Sequence, residues 1–322
     1  MPWLSLPVEF NSLIMRKNTL LLMSLINVLS SLALYAQSPS QQVIDTTSQP
    51  LKILSWNIYM LPYISLFNGN GRRAEAIGKQ LMDSDYQIVV FQEAFSSKCR
   101  KILYKKLIQK YPYHYGPANM PGFSFKTSSG LWIWSKIPLT ELKEIKYKTA
   151  SGFDWVARKG AVLFEGNYNG AKFQLLATHL QANNSPEVRR TQISELAHLL
   201  DEYYTSAVPQ IICGDFNTEK SDTQNYNNLL QTLGAQNGSL TGTLQVTYDQ
   251  VNNNLARNPK GTTEVIDYIL TRNSYLIDNM QRRVVEFYHE DSNYKTHLSD
   301  HYAMEAEVKF TPFRGRHLLA NY

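Results

Sequence analysis

Residues 210–217 read QIICGDFN, and residues 87–93 read QIVVFQE. Each opens as a short continuous apolar run, the mark of a strand buried on both faces. Each then runs into polar residues: Asp215 and Asn217 after IICG, Glu93 after VVFQ. Working outward, Leu51–Asn57 (LKILSWN) reads as another strand, as do Leu131–Ser135, Ala161–Glu165, Phe173–Thr178, Val265–Leu270 and Arg283–Phe287. Tyr302–Phe310 alternates, with Met304, Ala306, Val308 and Phe310 inward and Glu305, Glu307 and Lys309 outward. Helices fall between these strands. Ala74, Ile77 and Leu81 give helical spacing over Arg72–Asp83, and Lys98–Lys110 is basic and amphipathic with Ile102, Leu103 and Leu107 inward. Ser185-Pro186-Glu187 opens a third helix with an N-cap, a proline at the first position and an acid in the first turn. A fourth, Asn225–Leu233, is stopped by Gly234. Interleaved strands and helices predict an α/β protein with mixed sheets and helical outer layers.

The N-terminus obeys a different logic. Arg16 and Lys17 precede an apolar run from Leu20 to Leu34, and Tyr35-Ala36 then gives way to QSPSQQ. That is the layout of a secretory signal peptide over residues 1–36, with Met15 as the expected start, and it predicts a secreted or periplasmic protein. Residues 37–50 read as a flexible lead-in, 51–312 as one catalytic domain and 313–322 as a C-terminal tail. Across the 322 residues, 43% are hydrophobic and 18% charged, which excludes disorder. Two cysteines are too few for a disulfide framework, and both are expected to serve packing. The net charge of +5 tolerates an anionic partner without the concentration of positive charge that nucleic-acid domains show.

The informative residues stand where strands run out: Asn57, Glu93, His179, Asp215, Asn217, Asp267, Asp300 and His301. Strand termini on one edge of a sheet converge on a crevice where α/β proteins bind ligands. Glu93, Asp215 and Asp300 with two asparagine carbonyls are hard oxygen donors suited to Mg²⁺ or Mn²⁺ rather than zinc. Two histidines beside carboxylates supply proton transfer near neutral pH. The chain has no GxSxG, no P-loop and no cysteine-nucleophile context, so the set reads as metal-assisted hydrolysis of a phosphate ester by water.

Six ordered blocks, SWN (55–57), QEAF (92–95), THLQ (178–181), GDFN (214–217), IDYIL (266–270) and SDHY (299–302), resemble the signature of the endonuclease/exonuclease/phosphatase superfamily. NIYMLP (57–62), SGFDWVARKG (151–160) and the loop SLTGTLQVTYDQVNNNLARNP (239–259) are similar to the secreted neutral sphingomyelinases of that superfamily. The resemblance implies a four-layer α/β sandwich of the DNase-like kind, two mixed sheets flanked by helices. It implies that Glu93, supported by Asn57, holds the catalytic Mg²⁺, with Mn²⁺ as a substitute. Asp215 and Asn217 position the attacking water or hold a second metal, and Asp300 assists the metal or the Asp215 side. His179 stabilises the transition state, and His301, oriented by Asp267, exchanges protons with water or leaving group. Which of Asp215 and His301 is the base stays open. Lys159 reaches the phosphate or the headgroup under the control of Asp154.

One departure from that pattern is the interval 287–298, FYHEDSNYKTHL, short and polar where haemolytic members carry a long hairpin with exposed aromatics. Residues 59–67 and 119–125 are the apolar segments that could dip into an interface instead. The implied substrate is a sphingomyelin-like phospholipid at a membrane surface, cut to ceramide and phosphocholine. Nucleic acid is disfavoured, and no protein partner is indicated. A secreted DNase-like nuclease, a phosphoinositide phosphatase and an inactive lipid-binding module on the same fold are the alternatives.

Overall fold

The computed structural model describes residues 49–61, 69–120, 127–183, 185–291 and 294–311. The leader 1–36, most of the lead-in and the tail 313–322 lie outside the described residues, as do 62–67 and 121–125 of the two apolar segments. No helix among the described residues is long and apolar enough to cross a membrane.

In chain order the elements are β1 (Leu51–Asn57), α1 (Asn70–Asp83), β2 (Ile88–Gln92), α2 (Ser97–Leu107), β3 (Tyr113–Tyr115), β4 (Trp132–Ser135), β5 (Leu139–Lys146), β6 (Gly160–Tyr168) and β7 (Ala171–His179). There follow α3 (Pro186–Glu202), β8 (Gln210–Asp215), α4 (Thr223–Leu233), β9 (Leu240–Thr241), β10 (Tyr248–Asp249), β11 (Thr263–Glu264) and β12 (Asp267–Arg272). The chain closes with β13 (Ile277–Val285), β14 (Tyr288–Asp291), β15 (Tyr294–His297) and β16 (Ala303–Phe310). One sheet runs β3-β4-β2-β1-β16-β13-β9 and the other β12-β8-β7-β6-β5.

Alternation along the strands divides the apolar residues into three cores. Ile53, Ile88, Val90, Phe164, Leu175, Ile211, Ile269 and Ala306 fill the space between the sheets. The opposite faces of the same strands pack outward. Leu54, Trp56 and Phe91 meet Ala74 and Ile77 of α1 and Leu103 and Leu107 of α2. Leu163, Leu176 and Ile212 meet Ile193, Leu196 and Leu200 of α3 and Leu229 of α4. The result is the expected four-layer sandwich, helices outside and two mixed sheets within. Cys99 and Cys213 are both free and buried, as packing residues should be.

Three sequence expectations change in detail. Ser185 stands at the N-cap of α3 but caps nothing with its side chain, because its Oγ pairs with Ser151 Oγ at 3.0 Å. Glu305 does not face solvent: β16 is a central strand, and the carboxylate is held between the Tyr86 hydroxyl at 2.5 Å and Arg283 Nη2 at 2.6 Å. The strand placed at Arg283–Phe287 is the end of the longer β13, and Phe287 leaves the sheet to pack at a tilt against Trp56, ring centroids 4.8 Å apart. The interval that follows forms only the small β14–β15 hairpin. The strand β5 (LTELKEIK) is too charged to have been legible, and charge suits its place at a sheet edge.

Connectivity decides where the polar residues go. β1 pairs parallel with β2 across α1, and β7 pairs parallel with β8 across α3. Parallel crossovers put the strand C-termini at one rim, carrying Asn57, Glu93, His179 and Asp215 there together. β12 and β16 run antiparallel to β8 and β1, so their N-terminal ends arrive at the same rim with Asp267, Asp300 and His301. Close strand approach matters at this rim. A Cβ on Gly214 lies 2.0 Å from the Thr178 carbonyl oxygen, so only glycine lets β7 and β8 meet beside His179 and Asp215. Gly214→Ala is expected to cost about 3 kcal/mol and lower Tm by about 6–12 °C in thermal denaturation. An unchanged Tm would show that the strands have room to spare.

Candidate active site

Asp215, at the end of β8, is the hub. In register it faces His179 on one side and Asp267 on the other. Its Oδ2 accepts from Asn57 Nδ2 at 3.0 Å and lies 3.4 Å from His179 Nε2 and 3.9 Å from His301 Nε2. Its Oδ1 accepts the Asn217 backbone N–H at 2.9 Å. Asn217 is left-handed (φ 47), which turns its side chain back so that Nδ2 reaches the Leu180 carbonyl at 3.2 Å. Burial, and then the Asp267 charge, push the Asp215 carboxyl up to about 6.

His301 Nδ1 pairs with Asp267 Oδ2 at 2.9 Å, leaving Nε2 directed toward Asp215. Burial alone pulls this imidazole down, but Asp267, Asp215 and Asp300 outweigh it and hold the ring well above the ordinary histidine range. His179 behaves oppositely. Burial, Lys159 and His301 depress its protonation well below the usual range. Two histidines facing the same Asp215 oxygen are therefore tuned in opposite directions, one to carry a proton and the other to refuse it.

Glu93 follows β2 in a left-handed conformation (φ 55), a strained geometry for a glutamate that aims the side chain into the cleft. Its Oε2 is closed off from water and has no hydrogen-bond partner among the described residues. Burial, and then the Asp300 charge, push it up to about 7. Burial also raises Asp300, which accepts from Ser299 Oγ at 3.2 Å. An orphaned carboxylate oxygen beside a second carboxylate and an asparagine side chain is a hard-oxygen donor set, and a divalent cation fits it. Asp215, Asp267 and His301 also offer ligand atoms within 4.8 Å of one another. The Asp267–His301 hydrogen bond already occupies one atom of each, so that trio suits proton transfer better than a metal.

The cleft these groups border has a volume of about 620 Å³ and includes Tyr59, Glu93, Asp215, Asn217, Asp300 and His301 among its walls. Asp154 and Lys159 stand behind it. Lys159 Nζ is 2.9 Å from Asp154 Oδ2, from His179 Nε2 and from the Leu180 carbonyl, and its side chain is 3% exposed. The pair is thus a buried one, and the ammonium ends on His179 rather than in the open cleft. With Lys159 donating to Nε2, the His179 proton belongs on Nδ1, which has no partner among the described residues.

All ten residues singled out from the sequence lie at this rim or directly behind it. Several supporting groups carried no sequence signal. Thr247 Oγ1 accepts the backbone N–H groups of Ile266 at 3.0 Å and Asp267 at 3.1 Å, fixing the start of β12. The Tyr248 ring packs 5.0 Å from the His301 ring. Arg73 is buried on α1 and donates to the carbonyls of Leu298 and Tyr59 at 2.9 and 2.8 Å, tying the loop before Asp300 to the loop after Asn57. Thr247 and Tyr248 lie inside the 239–259 segment, where only a family resemblance drew the eye; an arginine in an amphipathic helix looks like any solvated cation.

A sandwich of two mixed sheets with paired carboxylates and imidazoles at its rim is an arrangement suited to hydrolysis of phosphate esters. The chain belongs to the Endonuclease/Exonuclease/phosphatase family, whose model matches residues 54–301. Among curated proteins it is 27% identical over 260 residues to "Sphingomyelinase C 2" of Leptospira interrogans serogroup Icterohaemorrhagiae serovar Lai (strain 56601), covering 72% of this chain and 41% of that one. The chain thus spans less than half the length of that relative. It is 28% identical over 243 residues to "Phospholipase C" of Staphylococcus aureus, covering 69% of this chain and 73% of that one. A crystal structure of Staphylococcus aureus beta toxin with bound magnesium ions superposes with a TM-score of 0.70 at 25% identity, covering 81% of this chain and 100% of that chain.

Proposed function

We propose that this chain is an exported, Mg²⁺-dependent phosphodiesterase that cleaves sphingomyelin-like phospholipids to ceramide and phosphocholine. The observation that carries the reading is the orphaned Glu93 carboxylate in one cleft with Asp215 and His301, with the oppositely tuned His179 buried 3.4 Å from Asp215. The names of the relatives, sphingomyelinase C and phospholipase C, support the substrate class. The layout of residues 1–36 supports export.

In this reading Glu93, with Asn57 and Asp300, holds Mg²⁺ or in its place Mn²⁺, which when bound supplies Lewis-acid polarisation of a phosphoryl oxygen. His301 exchanges a proton at Nε2 with the attacking water or the leaving ceramide oxygen. Asp267 fixes its tautomer, and Asp215 stabilises the imidazolium. Asp215 and Asn217 orient the water. Lys159 places positive charge next to His179, where negative charge grows on the phosphoryl oxygens, and Asp154 keeps the ammonium in position.

The test is a panel of sphingomyelin, ceramide phosphoethanolamine, phosphatidylcholine and plasmid DNA, assayed with Mg²⁺ and with EDTA. Phosphocholine release from sphingomyelin that stops in EDTA and returns with Mg²⁺ is expected. DNA nicking without phosphocholine release would overturn the substrate assignment.

A further inference from the structure

A second cavity of about 390 Å³ lies on the far side of Lys159, between the end of β5 and the 150–159 segment. Lys146, Lys148, Arg158 and Lys159 line it together with Trp155, and among the described residues no aspartate or glutamate is part of its walls. The Lys159 charge is answered by Asp154, so the charges left without an anion inside the cavity are those of Lys146, Lys148 and Arg158. Glu195 is not among the cavity's walls; it accepts the Lys148 backbone N–H at 3.3 Å, and its charge partly answers that of the Lys148 ammonium from outside the cavity. Arg158 lends its guanidinium to the cavity wall, and its buried Nε has no hydrogen-bond partner among the described residues. Trp155, 61% exposed, and Val156, 37% exposed, project beside these cations. An open indole next to clustered Lys and Arg matches the headgroup level of a negatively charged bilayer, where the ring sits among headgroups and the cations meet phosphates.

We propose that this cavity is a docking site for anionic phospholipid in a membrane, seating the enzyme so that the neighbouring cleft faces the lipid it cleaves. The inference rests on the reading that the enzyme works at a lipid surface. Charge complementarity selects the occupant: a zwitterionic headgroup brings a cation of its own into a pocket that already holds three, whereas an anionic headgroup brings none. Lys159 is the physical link, bordering this cavity while its Nζ meets His179 of the active site. The short hairpin at Tyr288–His297 is then not needed as the membrane anchor.

Vesicle co-sedimentation in EDTA, comparing pure phosphatidylcholine with phosphatidylcholine containing phosphatidylglycerol, tests this. Turnover of sphingomyelin in neutral detergent micelles with Mg²⁺ is measured alongside. Wild-type protein should prefer the anionic vesicles. The double variant Lys148→Gln/Arg158→Gln should bind them about thirtyfold more weakly and turn over micellar substrate at the wild-type rate. Trp155→Ala should weaken vesicle binding while retaining the preference for anionic lipid. Any contribution of residues 1–36 is common to all forms and cancels. Equal wild-type binding to both vesicle types, or undiminished binding by the double variant, overturns the proposal. Anionic preference lost in the double variant, with no micellar turnover even in wild type, would uphold the docking site and sink the substrate reading instead.

Discussion

His301→Ala is expected to lower kcat by about 10²–10⁴-fold with little change in KM, while circular dichroism and Tm remain near wild type. The imidazole is the group in the cleft best placed to exchange a proton, with Nδ1 on Asp267 at 2.9 Å and Nε2 free to face Asp215 at 3.9 Å. Three carboxylates hold the ring charged, so its loss removes the group that exchanges a proton in the chemical step rather than a contact used in substrate binding. Asp267→Asn should show a defect of the same kind, since the amide can no longer accept the Nδ1 proton without rotating and the tautomer is released. Combining the two changes should be no worse than His301→Ala alone, because Asp267 acts only through that ring. A double variant slower than His301→Ala by the full Asp267 factor would show that Asp267 has a separate role. Near-wild-type turnover by His301→Ala would remove the site assignment altogether.

Removing the divalent cation should have the second large effect, and its sign with pH follows from the buried acids. Glu93 and Asp215 are raised to about 7 and about 6, so the folded chain binds more protons than the unfolded chain between their ordinary values and these. Their contribution to stability is therefore lost as pH rises through that window. For Glu93 alone this is on the order of 3 kcal/mol. His301, raised, adds a loss that continues at higher pH. His179, depressed, works the other way, since its stabilising neutral form is lost as pH falls below the ordinary histidine value. The two signs offset below about pH 6.5, and above it only losses remain. EDTA-treated protein should thus become steadily less stable from about pH 6.5 to 8. Millimolar Mg²⁺ at about a hundred times its Kd should contribute about 2.7 kcal/mol, or about 5–10 °C in Tm. The gain should be larger at pH 7.5 than at about pH 5.5, where protons compete for Glu93. Glu93→Gln should abolish most of the Mg²⁺-dependent rise and raise the Tm of the metal-free protein at alkaline pH. A rise equal at both pH values, and retained by Glu93→Gln, would place the cation elsewhere.

Much of this architecture is written locally. Continuous apolar runs such as QIICGD and QIVVF can be only buried strands or buried helices, and their length with the β-branched content decides for strands. Polar residues ending such runs are legible one by one, as are the amphipathic stripes of α1 to α4. That is enough to foresee layers and to foresee a rim. The sequence by itself therefore determined the class of fold, the eight candidates at strand ends and their oxygen-rich chemistry, while Asp154 and Lys159 stood out only by family resemblance.

What it left to the tertiary structure is which atom meets which. The contact of Lys159 with His179 joins β6's leading edge to the end of β7 and depends on strand register, which side-chain type does not encode. The opposite tuning of His179 and His301 is likewise a matter of placement: the same imidazole is depressed beside an ammonium and raised among three carboxylates. Thr247, Arg73 and Ser299 position the site through backbone carbonyls and amides, partners that every residue offers and that leave no mark in composition or spacing. The basic cavity at Trp155 exists because β5 and the 150–159 segment lie side by side, bringing Lys146 and Arg158 together from separate stretches. Periodicity and residue type are properties of the chain and can be read along it. Register, burial and the sum of nearby charges exist only once distant segments have met.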